Sequence, residues 1–522
     1  MLGHKLQSSQ ISKNLLKKNI AANFAGTFWQ ALMGLIFIPL YIKYLGIESY
    51  GLIGIFTTLQ VIFGLLDIGL GSTLTRELAR LSVLPNNEQE TRNLVRTLET
   101  IYWGIAVFVG IIIVALSPFI SLYWIKPGLL STKTIGQALV LMGFITVFQM
   151  PIGFYSGGLM GIQKQILLNG INICMGALRG AGAVFILWLV SPTIQAFLLW
   201  QFGISVINSL LFALSLWNNL PCSESKPVFQ KKLLRGIWKF TAGISGISIF
   251  AVVLTQLDKV VLSKLLSLEM FGYYMLASVV AMSLGRLFTP VFFSIYPRFT
   301  QLVSMNNMDE LKFLYHKSCQ FIAVLILPVA FVIALFSYEI IFLWTQNAVT
   351  AEKTHSIISI MICGTALNGI MNPPYALQLA FGWTKLSVVK NIVALIIFIP
   401  LIIILAMHYG AIGASCAWLG LNIGYVFFEI PVMHRKILQK EMWRWYWKDV
   451  CVPIVVALSF AGLWRLCLND LAMQSQLMMT LQLAAILIST IGITLYSVPT
   501  IRAILFDQFS KSNSMYKNDV SI

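Results

Sequence analysis

Long runs of apolar residues recur from one end of the chain to the other, separated by short polar stretches. Each run has about 20 residues, which as an α-helix spans roughly the 30 Å hydrocarbon core of a bilayer. The pattern predicts an all-α polytopic membrane protein with about fourteen transmembrane helices. The predicted spans are 20–42, 51–73, 99–125, 136–160, 167–190, 194–217, 240–262, 271–296, 318–345, 355–381, 388–408, 411–433, 450–468 and 477–499.

The stretch KYLGIESYG at 43–51 returns as KLLSLEMFG at 264–272, an offset of 221 positions. Each copy is predicted to lie on the outer face, between two spans. Its Lys then lies near the end of one helix and its Glu at the start of the next, where both charges complement the helix dipoles. Gly51 and Gly272 allow close packing, so each copy is predicted to form a tight helical hairpin.

Other positions match at the same offset: Gly161 with Gly382, Lys164 with Lys385, and Gly64 with Gly285. The offset covers six predicted helices, an even number, so both copies enter the membrane in the same direction. This pattern predicts a parallel repeat about an axis along the membrane normal, a plan found among transporters. We expect two six-helix lobes at 1–218 and 219–434, followed by a terminal helix pair and a tail at 435–522.

Composition and charge narrow the class of protein. Hydrophobic residues make up 58% of the chain and charged residues only 11%, against about 25% charged in soluble domains. Of the 36 Lys and Arg, 27 fall in the same set of loops, Lys390 among them, which predicts that these loops and both termini are cytoplasmic. The net charge of +17 then indicates contact with anionic lipids rather than nucleic acid. The seven cysteines lack metal or disulfide spacing.

Three stretches carry a family resemblance. IPLYIKYLGIESYGLIGIF, LLDIGLGSTLTRELA and QLDKVVLSKLLSLEMFGYYMLA resemble the signatures of bacterial oligosaccharide flippases of the Wzx type. That family belongs to the multidrug/oligosaccharidyl-lipid/polysaccharide (MOP) exporter superfamily. The resemblance implies a MATE-like pair of lobes in the bacterial inner membrane. It also implies translocation of an undecaprenyl-pyrophosphate-linked sugar unit, with other polysaccharide assembly proteins as partners.

Such a cargo needs a hydrated cationic path, because unsatisfied polar groups cost several kcal/mol each in hydrocarbon. Arg179 and Arg286 lie near the middle of predicted spans, and guanidinium binds phosphate through two parallel hydrogen bonds. They are the leading candidates for anion binding, with Lys259 as a further cation. The alternative is that each Arg pairs with a carboxylate or a helix end. Arg179 lies between Gly176 and Gly180, a spacing that favours a position against protein.

Carboxylates within or near spans are candidates for ion coupling or for a gate. Asp258 is the strongest, because the resemblance to the seventh-helix pattern includes it, and it would couple transport to H⁺ or Na⁺. The alternative is that it only pairs with a neighbouring cation. On a helix the adjacent Lys259 points about 100° away, so the two are not expected to neutralise each other. Asp67 and Glu429 are weaker candidates, since nearby basic residues at the inner face explain much of both.

The stretch LNGIMNPPYALQ predicts a broken helix. Pro373 and Pro374 lack two backbone donors, which leaves carbonyls that Asn368, Asn372 or water approach. Such breaks mark many transporter sites, although a simple kink is the commoner outcome. In EMWRWYWKD, before the thirteenth span, Trp443, Trp445, Tyr446 and Trp447 suit anchoring at the membrane interface.

The sequence leaves few alternatives to a flippase. It has short outer loops and no P-loop or HExxH motif, so neither an enzyme nor an ATP-driven pump is expected, and no cofactor is expected beyond an ion gradient. A multidrug exporter of organic cations is the main rival, and a lipid II flippase shares the superfamily. An exporter of cations would line its cavity with acidic and aromatic residues, whereas the central charges here include two arginines.

Overall fold

The structure is a computed structural model that describes residues 2–65, 69–82, 87–223, 225–233, 252–468, 471, 474–498 and 502. Within these residues the regular elements are all helices, joined by turns and loops, apart from one isolated bridge between Lys126 and Ser267. The expected all-α membrane fold is therefore confirmed. The chain divides by its contacts into a first unit, Met1–Gly272, and a second unit, Tyr273–Ile522. The division into repeat lobes at 218/219 stays a prediction.

The first unit is a helical bundle around α4, which packs against α2, α3 and α6, while α5 packs against α1. Buried Leu74, Leu98, Phe154 and Phe212 form part of its core. Its helices are α1 (Leu2–Gly64), α2 (Leu70–Leu81), α3 (Glu88–Phe119) with a π-helical end (Ile120–Trp124), α4 (Thr132–Gly161), α5 (Gln165–Leu189), α6 (Ile194–Asn219) and α7 (252–265).

In the second unit α10 packs against α9, α12, α16 and α17, so it occupies the middle of that bundle. The helices are α8 (Leu268–Ser283, which starts in the first unit), α9 (Gly285–Ser304), α10 (Met308–Leu335), α11 (Ser337–Thr345), α12 (Ala348–Ile370), α13 (Asn372–Ala380), α14 (Thr384–Lys436), α15 (Met442–Arg444) with a π-helical continuation (Trp445–Cys451), α16 (Val452–Cys467) and α17 (Gln476–Ser497).

The described residues contain eleven helices long and apolar enough to cross a membrane. Two of them each hold two predicted spans: α1 bends at Gly46, with φ of 80°, and α14 bends at Gly410, with φ of 58°. Glycine tolerates this left-handed conformation without a steric penalty, so the chain reverses at these points. Most of the predicted span 240–262 lies outside the described residues. The exact number of fourteen spans therefore stays a prediction.

The two copies of the repeated motif contact each other. A Cβ added at Gly51 would overlap the carbonyl oxygen of Leu268 and lie 3.1 Å from the amide nitrogen of Gly272. A Cβ added at Gly272 would overlap the carbonyl oxygen of Ile47 in the same way. Ile47 and Leu268 are themselves 221 positions apart, so the contact is reciprocal. Each glycine thus allows close packing, as predicted, but its partner is the other copy rather than its own hairpin.

Glu48 of the first motif copy was expected to interact with the start of its own helix. It also hydrogen-bonds a loop about 80 residues further along the chain. Its carboxylate is 7% exposed and accepts hydrogen bonds from the amides of Gly128 at 2.7 Å and Leu129 at 2.8 Å, and a longer one from Leu130. The same loop reaches the second motif copy, because the Lys126 carbonyl accepts from the Leu268 amide at 3.0 Å. One loop therefore contacts both copies, on the side predicted to face outward.

The aromatic segment before α16 is only partly at a surface. Trp443 and Trp447 are 65% and 63% exposed, which fits the predicted interfacial anchoring, but Trp445 is fully buried. The buried Asp449 hydrogen-bonds Nδ1 of His316 and accepts from Gln320 Nε2 at 2.8 Å. The interpretation of Trp445 as an interfacial anchor was wrong, because the π-helical segment turns it with Asp449 against α10.

Candidate functional site

Arg179 lies on the α5 face that packs against α1. A Cβ added at Gly180 would overlap the ring of Phe37, so the small residue lets an aromatic side chain of α1 approach closely. The predicted position against protein is therefore confirmed. Tyr41 stands one turn from Phe37 with ring centroids 6.2 Å apart, and it makes an edge contact with Phe197 at 5.0 Å. Arg179 thus lies in a part of the first unit where aromatic side chains of α1 and α6 pack together.

The guanidinium of Arg179 has a spare donor. Its Nη2 is a buried atom without a hydrogen-bond partner, and the described residues give Arg179 no ion pair. Buried polar atoms are nearly always hydrogen-bonded, so such an atom needs an explanation. The alternative of pairing with a carboxylate does not apply within the described chain. The role of Arg179 as an anion ligand stays a prediction.

Asp258 and Lys259 lie next to each other on α7 and form a pair. Nζ of Lys259 is 3.4 Å from both carboxylate oxygens of Asp258 and donates to the carbonyl of Thr255 at 2.9 Å. The two side chains are only 12% and 11% exposed. The expectation that neighbouring helix positions cannot neutralise each other was wrong, because the long, flexible lysine stem turns back along the helix.

Lys259 also lines a cavity of about 260 Å³ inside the first unit. The other walls are mostly apolar, with Thr58 from α1, and Trp124 hydrogen-bonded to Ser263 at 3.0 Å. Cavities with apolar walls stay dry. The cation of Lys259 therefore borders an apolar space, and Asp258 and Thr255 account for its polar contacts.

Arg286 lies in the first turn of α9, in the second unit. Its side chain is exposed, and it makes no hydrogen bond or ion pair within the described part of the chain. Arg179 and Arg286 thus belong to different units. Among the described residues, neither arginine has an ion-pair partner.

Glu429 is 4% exposed near the end of α14 and has two partners. Nζ of Lys390 lies 3.1 Å from its Oε2, and Nε2 of Gln378 donates to its Oε1 at 2.8 Å. Lys390 also lies over the rings of Tyr425, at 4.8 Å, and Tyr375, at 5.6 Å. Lys390, which the sequence places with the cytoplasmic cations, lies within α14 and compensates this carboxylate.

Lys390 and Glu429 border a second cavity, of about 390 Å³, between the two halves of α14. Sequence reasoning singled out Glu429 but not Lys390, because 39 positions separate them. The bend at Gly410 brings the two antiparallel halves into register. The spacing of apolar residues predicts two helices here, but not which residues of the two helices face each other. The sequence therefore could not predict this ion pair.

The helix break lies where the two prolines predict it. α12 ends at Ile370, and α13 starts at Asn372 with Pro373 and Pro374 in its first turn. Nδ2 of Asn372 donates to the carbonyls of Asn368, at 3.1 Å, and Gly369, at 3.2 Å. Pro373 lacks the backbone donor that the Gly369 carbonyl would have in a continuous helix.

The break is also tied to α14, since Asn368 Nδ2 donates to Asn422 Oδ1 at 2.9 Å. The polar groups at the break therefore have protein partners. Among the remaining candidates, Asp67 lies outside the described residues. The described His, Cys, Asp and Glu form no group of three or more that could hold a metal ion.

Comparison with known proteins places these features in a family. Residues 16–303, more than half of the chain, match the family model described as "Polysaccharide biosynthesis protein". A putative O-antigen transporter of Shigella flexneri is 21% identical over 402 residues, which cover 77% of this chain and 93% of that protein. The lipopolysaccharide biosynthesis protein WzxC of Escherichia coli (strain K12) is 24% identical over 388 residues, 69% of this chain and 71% of that protein.

Solved structures agree in fold. The lipid II flippase MurJ in an inward closed conformation has a TM-score of 0.67 and 17% identity, covering 94% of this chain and 99% of its own. An inward-facing multidrug resistance MATE transporter has a TM-score of 0.63 and 15% identity, covering 78% of this chain and 96% of its own. The Shigella flexneri relative and both solved structures are named as transporters or a flippase, and none of them as an enzyme. The chain therefore belongs to the polysaccharide biosynthesis protein family and has the membrane-embedded fold of the MOP superfamily transporters.

Proposed function

We propose that this protein is a flippase that moves an undecaprenyl-pyrophosphate-linked oligosaccharide, an O-antigen or related surface-polysaccharide unit, from the cytoplasmic to the periplasmic leaflet. Its family and the printed names of its two relatives, O-antigen transporter and WzxC, support this proposal. The chain then lies in the bacterial inner membrane with both termini in the cytoplasm. Anionic lipids contact its basic face, and polysaccharide assembly proteins are its partners.

The observation that carries the proposal is the spare donor of Arg179. A pyrophosphate cannot cross hydrocarbon unless cations and hydrogen-bond donors replace its water. Nη2 of Arg179 is buried without an acceptor, and guanidinium matches the geometry of phosphate oxygens. Arg286, exposed and without an ion pair in the described chain, is the second ligand in this proposal. Lys259 is a third cation and borders the apolar cavity of the first unit.

Transport proceeds by alternating access, in which the two repeat lobes rock so that the path opens to one side and then the other. The prenyl tail stays in lipid while the polar head passes through the protein. Three acids link the cycle to a gradient of H⁺ or Na⁺ or act as a gate: Asp258, Glu429 and Asp67. Each of the first two has a lysine partner that an incoming ion would displace. The broken helix at Asn368 to Pro374 supplies a point of bending.

The charge pattern favours an anionic cargo over an organic cation. Two of the candidate coupling acids are already compensated by lysines, Asp258 by Lys259 and Glu429 by Lys390. The two arginines are not compensated within the described chain. An exporter of cations needs the opposite arrangement, because a buried cation requires an unpaired acid.

Deletion of the gene from its host tests the proposal. We expect undecaprenyl-linked repeat units to accumulate on the cytoplasmic leaflet, with loss of the surface polysaccharide. Complementation with the wild-type chain restores the polysaccharide. Intact polysaccharide together with increased sensitivity to cationic drugs contradicts the proposal and indicates an exporter. Accumulation of lipid II instead indicates a lipid II flippase.

A further inference from the structure

Three aromatic rings form a row in the second unit. The rings of Tyr296 and Phe292 on α9 have centroids 6.0 Å apart and planes 8° apart. Phe292 in turn stacks on Tyr375 of α13, with centroids 5.8 Å apart and planes 17° apart. α13 packs directly on α9, which fixes the spacing of the row. All three side chains are half-buried rather than enclosed in the core, so part of each ring is open to a ligand.

A polar group lies at the Tyr375 end of this row. Nζ of Lys390 lies 5.6 Å from the centre of the Tyr375 ring. Glu429 pairs with the lysine, and Gln378 donates to the same carboxylate. Ser387 Oγ donates to Gln378 Oε1 at 3.5 Å, which fixes the amide. A charged donor, an acidic acceptor and an amide therefore stand beside an aromatic surface.

The hydroxyls of Tyr296, Tyr375 and Tyr425 make no hydrogen bond within the described part of the chain, whereas those of the buried Tyr155 and the half-buried Tyr446 each bind a partner. A half-buried tyrosine usually presents a polar tip to water or to a ligand. The rings of Tyr375 and Tyr425 both lie beside Lys390.

Pyranose rings have the complementary chemistry. One face of the ring carries C–H groups that lie against aromatic faces, and its edge carries hydroxyls that bind planar polar side chains and lysine. The aromatic array spans three rings at intervals of about 6 Å, so more than one sugar residue can lie along it.

We propose that the row Tyr296–Phe292–Tyr375, with Lys390 and Gln378 at its end, is the surface that binds the sugar residues of the cargo. It is distinct from the arginines assigned to the pyrophosphate. The inference rests on the proposed function, because it names the part of the protein that reads the glycan of a lipid-linked oligosaccharide. It makes the second unit the source of glycan selectivity.

Two probes separate the sugar from its carrier. The full chain in nanodiscs is titrated with undecaprenyl pyrophosphate that bears no sugar, and with the undecaprenyl-linked oligosaccharide isolated from the deletion strain. The variants are Phe292→Leu, Tyr375→Leu and Tyr375→Phe. The control is Phe427→Leu, which removes a ring of the same size from a position 65% exposed and outside the row.

We expect the two leucine variants of the row to lose about tenfold in affinity for the sugar-bearing probe and to bind the sugar-free probe as the wild type does. Tyr375→Phe keeps the ring and folds with the same volume, so it retains most of that affinity. Phe427→Leu binds both probes normally. Equal effects on the two probes, or no effect on either, overturn the inference and leave the proposed function intact. A wild-type chain that binds neither probe overturns the proposed function itself.

Discussion

Nζ of Lys390 lies 3.1 Å from Oε2 of Glu429, so an ion pair joins the two halves of α14. The side chain of Lys390 is 19% exposed and that of Glu429 is 2% exposed. Removing one partner of a buried ion pair leaves an uncompensated charge and costs about 3–5 kcal/mol, whereas replacing both partners with apolar residues is often close to neutral.

This pair predicts a non-additive effect on stability. Lys390→Met should lower the midpoint of thermal unfolding by several degrees, because Glu429 then lacks its cation. Lys390→Met combined with Glu429→Met should recover most of that loss. Thermal unfolding of the purified variants in nanodiscs measures both. Lys312→Met is the control, because this half-buried lysine has no ion pair among the described residues. Additive losses in the double variant contradict a direct pair.

Arg179 predicts a change in the binding of the anionic head. Arg179→Gln removes the charge, and Arg179→Lys keeps it but loses the two parallel donors, so affinity for undecaprenyl pyrophosphate should fall by about tenfold or more in the first and less in the second. Arg298→Gln is the matched control, since that arginine pairs with Glu310 at 2.6 Å on an exposed surface. Unchanged binding by Arg179→Gln in a normally folded protein excludes it as a ligand.

The reciprocal motif contact predicts which glycines tolerate a methyl group. Gly51→Ala and Gly272→Ala each force a Cβ into a backbone carbonyl of the other copy, so both should unfold at lower temperature or insert poorly. Gly64→Ala is the control, because nothing lies within 4 Å of its added Cβ. Alanine there should be close to neutral, because Gly64 is the last residue of α1 and its Cβ meets open space. Equal stability of Gly51→Ala and Gly64→Ala contradicts the close contact.

The hydrogen bonds of Glu48 should protect the backbone amides of one loop from hydrogen exchange. Hydrogen bonds to a charged acceptor contribute about 1.5–3 kcal/mol, and this carboxylate binds three successive amides. In Glu48→Gln the amides of Gly128, Leu129 and Leu130 should exchange hydrogen faster, while exchange in α10 stays unchanged. Glu90→Gln, at an exposed position in the first turn of α3, serves as the control. Unaltered exchange at 128–130 refutes the role of Glu48 as the acceptor.

The sequence predicted well what depends on local pattern. Apolar runs located the spans, the GxxxG spacing placed Arg179 against protein, and Pro373 with Pro374 located the helix break. It could not predict contacts that depend on register or on side-chain length. The motif glycines meet each other because two distant helices approach, and Lys390 reaches Glu429 only after α14 bends at Gly410.

Two further misses have similar causes. Lys259 turns back onto Asp258 because four methylene groups give its ammonium a reach that helix angles do not describe. Trp445 looked like an interfacial aromatic, but the π-helical segment changes the face on which each side chain lies, and this tryptophan is fully buried. Aromatic composition alone could not separate it from Trp443 and Trp447.

Translocation by the purified chain tests the central claim most directly. The protein is reconstituted into liposomes that carry the undecaprenyl-pyrophosphate-linked oligosaccharide in one leaflet, and a membrane-impermeant enzyme that cleaves the exposed sugar reports its arrival in the other. The account predicts transfer that depends on the protein, is lost in Arg179→Gln and persists in Arg298→Gln. Transfer at the rate of protein-free liposomes, by a wild-type chain that is folded and correctly inserted, would contradict it.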